Sequence, residues 1–73
     1  MKKYAIVIEH GESNLSASVP DLPGCMTTGR TVEEIERNIR EAIELHLEGL
    51  REDGKPIPEP YTAISYIELQ GVG

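Results

Sequence analysis

Seventy-three residues and 8.1 kDa make one small domain, and so short a chain buries only about 60% of the surface its unfolded form exposes, so its core depends on close packing or self-association. One cysteine, Cys25, excludes an internal disulfide and a multi-thiolate zinc site, and a lone thiol fits a reducing compartment. Seven Lys and Arg against 13 Asp and Glu give a net charge of −6, which argues against a chain that grips nucleic-acid phosphates and fits a basic partner or plain solubility.

The amino terminus, Met1-Lys2-Lys3 followed by the apolar residues 4–8, is too short for a signal-peptide core. No stretch is long enough to span a membrane, so a cytoplasmic protein is expected. With eight Ile, six Leu and neither Phe nor Trp, the core must be aliphatic. Residues 3–9 read as a strand, with Tyr4, Ile6 and Ile8 on one face and Ala5 and Val7 on the other; apolar residues on both faces suit a central strand. Gly11 to Asn14 is turn chemistry, and residues 15–19 alternate as a second strand with Leu15, Ala17 and Val19 inward. Pro20 and Pro23 then end the ladder, and residues 25–28 form a short third strand before Gly29, read as a flexible corner.

Thr31 with Glu34 three residues on is a capping box, and Val32, Ile35, Ile39, Ala42, Ile43, Leu47 and Leu50 form the apolar stripe of a helix over residues 32–53. Gly54 is its left-handed stop. Pro56, Pro58 and Pro60 hold an extended connector, and residues 61–69 alternate as a last strand, followed by residues 70–73, expected to fray. The order β-β-β-α-β predicts a two-layer α+β domain in which an antiparallel meander carries one helix on one face and the last strand returns beside the first. The face without a helix, carrying Ala5 and Val7, is then a candidate self-association surface.

The segments Tyr4-Ala5-Ile6-Val7-Ile8-Glu9, Val19-Pro20-Asp21-Leu22-Pro23-Gly24-Cys25, Thr28-Gly29-Arg30-Thr31-Val32-Glu33-Glu34 and Gly54-Lys55-Pro56-Ile57-Pro58-Glu59-Pro60 occur in that order, and together they resemble the HicB antitoxin family over most of the chain. The resemblance implies a partial RNase H-like fold, self-association to a dimer or tetramer, and silencing of a small basic RNA-cleaving toxin of the HicA type. It carries over Pro20, Gly24, Gly29, Thr31, Glu34, Gly54, Pro58 and Pro60 as fold determinants. Many family members continue into a DNA-binding segment, whereas this sequence stops at Gly73, so direct nucleic-acid binding is not expected of it.

No catalytic residue, metal site or cofactor is expected. A nuclease of the RNase H type needs carboxylates converging at the sheet centre, and the first strand offers only Glu9, at its end; Glu9 and Glu68 read as exposed strand-end charges. His10 reads as a solvated turn residue and His46 as a cover for the core rim. Cys25 reads as a half-buried inert thiol, and Gly24 to Gly29 lacks the lysine and spacing of a phosphate loop. The helix region holds eight acids against three arginines. Glu33 with Arg37 and Glu36 with Arg40 suit i, i+4 pairing, but Glu44, Glu48 and Glu52 set like charges at i, i+4, each worth a few tenths of a kcal/mol against an isolated helix. That acidic half is the candidate surface for a basic partner. The alternative to an antitoxin is a stand-alone oligomeric interaction module, with a nuclease a remote third.

Overall fold

In the computed structural model, which describes residues 2–71, side-chain alternation sets the sheet. β1 (Val7–His10), β2 (Leu15–Ser18) and β3 (Met26–Gly29) form an antiparallel meander in the order β1-β2-β3. Residues opposite one another share a face, so the row Ile8, Ala17, Thr27 turns inward and the row Val7, Ser18, Met26 turns outward. Leu15, Ala17, Val19, Leu22, Cys25, Ile35 and Ile39 make the buried core, with Tyr4, Ile6 and Ile8 packed against it.

The ladders are shorter than the sequence suggested, for local reasons. β1 starts at Val7 rather than near residue 3, because its partner β2 ends at Ser18 and the following Pro20 has no N–H for a ladder. Cys25 is absorbed into the β2–β3 loop, where its N–H donates to Leu22 O at 3.0 Å and its carbonyl accepts from Val19 N at 3.1 Å. Gly29 is not a flexible corner. It is the buried last residue of β3, and a Cβ there would lie 3.3 Å from both Ile35 N and Ile35 Cγ1, so glycine is needed for close approach to the helix.

α1 (Val32–Glu52) follows the apolar stripe, burying Ile35 and Ile39 and half-burying Ala42, Ile43, Leu47 and Leu50. Val32 stands outside the stripe's buried part, 47% exposed at the helix entrance. Thr31 Oγ1 accepts from Glu34 N at 3.1 Å, while the Glu34 carboxylate reaches one residue past the cap to accept from Arg30 N at 3.3 Å. At the other end Gly54 adopts φ +69°, and the Gly54 N to Arg51 O and Lys55 N to Leu50 O bonds complete a Schellman stop. Asn38 Nδ2 donates to Thr28 O at 2.9 Å and ties the helix to β3. The helix packs on β3 and β2 and leaves β1 to one side.

The returning strand is the main correction. Among the described residues, 61–69 join no strand: from Lys55 to Leu69 the backbone runs without a turn, bend or ladder. At about 3.3 Å per residue fifteen such residues span about 50 Å, which accounts for a longest dimension of 51 Å against 27 and 19 Å. The cause is the root of the segment, fixed by residues 21, 61 and 62 over the loop that follows the central strand rather than along the free edge of β1. Val72 and Gly73, the end of the segment expected to fray, lie outside the described residues.

Candidate interaction surface

The acidic half of α1 is displayed as a line of solvent-facing carboxylates. Glu44, Glu48 and Glu52 are all exposed at one-turn spacing. Among the described residues the one ion pair within 4.0 Å joins Lys2 Nζ to Glu59 Oε1 at 2.6 Å. The expected Glu33–Arg37 and Glu36–Arg40 pairs are therefore open, and the three carboxylates repel one another with no cation on them. A surface of this kind draws a cationic partner and weakens as salt rises.

Beside it, the segment before β1 and the middle of α1 enclose a groove of about 420 Å³. Tyr4 and Ile6 form one wall, Ile39 and Ile43 the other, and Lys2, Glu36, Arg40 and Glu44 rim it. It exists because the helix lies over β2 and β3, so nothing covers the space beyond the free edge of β1. The connector is tied to one of the groove's lining residues: Tyr4 OH donates to Pro58 O at 2.6 Å.

Asp21 anchors the connector's end, a role that no sequence motif assigns to it. It is 3% exposed, and its Oδ2 accepts from Tyr61 N at 2.9 Å and Thr62 N at 3.1 Å while Oδ1 accepts from the Thr62 hydroxyl. Burial pushes this carboxyl up, but the Thr62 hydroxyl and the Thr62 and Tyr61 amides outweigh it and hold the net value below the ordinary 3.8. The available signal was an acid between two prolines, Pro20 and Pro23, in a loop closed by its own backbone bonds.

The open sheet face is a poorer surface than the sequence implied. Ala5 is half-buried and Val7 is 43% exposed, but the ladder rows that share this face add Glu9, Ser16, Ser18 and Thr28, with Met26 as the other large apolar side chain. Glu9, Glu68 and His10 are exposed and His46 is half-buried. Cys25 is 4% exposed, with burial pushing its thiol up, which suits a packed rather than a nucleophilic role. Among the described residues no three His, Cys, Asp or Glu side chains converge as a metal site requires. Gly24 takes φ +86° in the β2–β3 loop that Pro20 opens, and Gly54, Pro58 and Pro60 shape the helix stop and connector. Among the described residues no helix is long and apolar enough to cross a membrane.

Residues 4–70 match the model of a family described as the HicB-like antitoxin of a bacterial toxin-antitoxin system. The chain belongs to the HicB-like antitoxin family. Among solved structures it is similar to the HicA3 and HicB3 toxin-antitoxin complex, with a TM-score of 0.71 and 33% identity over 82% of this chain and 70% of that one. It is 41% identical over 88% of its length to a 14.9 kDa protein from the rep-hol intergenic region of Haemophilus phage HP1, of which it covers 48%. The chain thus spans about half the length of that relative. A UPF0150 protein of Thermoplasma acidophilum is 40% identical over 77% of this chain and 83% of its own length, and one of Archaeoglobus fulgidus 45% identical over 73% and 81%. The family match extends across the connector and all of residues 61–69, so the unpaired segment is part of the family's shared sequence.

Proposed function

We propose that this domain acts as the antitoxin of a pair, binding a small basic RNA-cleaving toxin of the HicA type and silencing it by covering the surface on which RNA would sit. It works stoichiometrically, by shape and charge, in the cytoplasm where the toxin's RNA substrates are. The observation that carries the reading is the line of unneutralised carboxylates Glu44, Glu48 and Glu52 on a member of an antitoxin family. A toxin that grips RNA phosphates must present cations, and these carboxylates offer a competing anionic surface on a rigid helix.

The test is association kinetics with the product of a neighbouring short basic gene. Reversing all three charges, Glu44→Lys with Glu48→Lys and Glu52→Lys, should lower the association rate by about tenfold at low salt and flatten its salt dependence, with the dissociation rate much less changed. Unchanged association kinetics would remove the helix from the reading. Failure of the two proteins to co-purify would remove the toxin partner itself.

A further inference from the structure

Two needs are unmet in one chain. β1 and the residues before it have the sequence of a central strand, apolar on both faces, yet they form an edge of the sheet with an empty apolar groove beside them. Residues 61–69 have the sequence of a strand, yet they join no ladder among the described residues, and Tyr61, Ile64, Tyr66, Ile67 and Leu69 supply five of the nine large exposed apolar side chains described. Such a segment, long, apolar and with only Glu68 charged, is a template for strand addition.

The chain cannot easily satisfy itself. Asp21 binds the Tyr61 and Thr62 amides at the loop after the central strand, and Pro56, Pro58 and Pro60 keep the approach extended rather than folded back. We infer that residues 61–69 are an exchanged strand: in a two-fold dimer each copy lays this segment along the β1 edge of the other, beneath the partner's helix. The face bearing Ala63, Ile67 and Leu69 then fills the groove over Ile6, Ile39 and Ile43. Reciprocal exchange is self-complementary, as a two-fold interface must be, and it leaves no free β1 edge. Nine donated residues and the eight that line the receiving groove bring each protomer near the roughly 20 residues a side of a standard interface. This places self-association on the β1 edge and not on the largely polar open face, and it does not rest on the toxin reading.

The test uses the full chain in two steps. By sedimentation at about 100 μM, a concentration that populates even micromolar interfaces, the protein should run at twice the 8.1 kDa chain mass. Ile67→Asp should return it to one chain mass with its helix signal in circular dichroism intact, since Ile67 lies outside the core. Exchange itself is read from mixed chains in a Cys25→Ala background. A chain carrying Ala5→Cys and a differently tagged chain carrying Ile64→Cys or Tyr66→Cys should form a disulfide across tags. A monomeric wild type would overturn the inference. So would a dimer insensitive to Ile67→Asp but broken by Val7→Asp, and so would crosslinks that form only within a chain carrying both cysteines.

Discussion

Gly29→Ala separates two forces that act at one carbon atom. Gly29 has no positive φ, so an alanine could adopt its backbone without strain, and the lower entropy of the unfolded chain would stabilise the variant by about 0.4–1 kcal/mol. Against this, the new Cβ would stand 3.3 Å from Ile35 N and 3.3 Å from Ile35 Cγ1. Neither atom can yield freely. The nitrogen belongs to the first turn of α1, held by the Ile35 N to Thr31 O bond of 2.9 Å, and the side chain is 0% exposed in the centre of the core. Overpacking of this kind costs about 1–3 kcal/mol, so the net should be a loss of about 1–2 kcal/mol. A domain of this size has about 4–11 kcal/mol in total, and the melting temperature should fall by roughly 5–15 °C. Urea and thermal melts followed by helix circular dichroism, at one fixed protein concentration, measure it. Gly49→Ala is the control, since it sits inside α1 and its Cβ position meets nothing within 4 Å beyond the neighbouring helix backbone; it should stabilise by about 0.5–1 kcal/mol. If Gly29→Ala is as stable as wild type, the sheet and helix are not held as tightly at this crossing as argued.

The Asp21 carboxyl lies below its ordinary value when folded. The docking it provides is therefore complete above the unfolded value of 3.8 and lost as pH falls through the lower folded one. Protection of the Tyr61 and Thr62 amides, taken relative to their intrinsic exchange rates at each pH, should hold from neutral pH to about 4 and fall only below it; loss of protection near neutral pH would contradict the anchor. Thr31→Ala removes the cap that accepts from Glu34 N and should cost about 0.5–2 kcal/mol in a urea melt, whereas Thr31→Ser should keep most of it.

The helix and the hairpin were legible because each is specified by its own residues. A period of 3.6 with a capping threonine and a stop glycine defines α1 with no reference to the rest of the chain, and strict alternation with a turn defines β1 and β2. Residues 61–69 carry an equally clear period of two, but period two reports only that a strand could form there, since a strand requires a neighbour that the pattern does not name. Where the segment starts is set by Asp21, at a sequence distance of 40 residues, together with the prolines just before it. Asp21 escaped notice for a related reason: an acid in a Pro-rich loop reads as solvated until the amides it binds are brought to it. Gly29 was misread because glycine serves both turns and close approach, and only the packed helix distinguishes them.

The acidic line and the β1 edge meet at one residue. Glu44 rims the groove, whereas Glu48 and Glu52 lie one and two turns farther along α1, away from it. An exchanged strand would therefore cover at most the first of the three carboxylates and leave the other two in solvent. The resulting dimer would present two such helix ends on a particle carrying twice the charge of −6, which strengthens attraction of a basic partner within the Debye length of about 8 Å at physiological salt. The two proposals consequently make a joint prediction that neither makes alone. Ile67→Asp, which separates the copies without touching the helix, should lower the toxin's association rate and weaken its salt dependence. If it leaves both unchanged while still producing monomers, each helix meets its partner alone and the exchange serves only to complete the sheet.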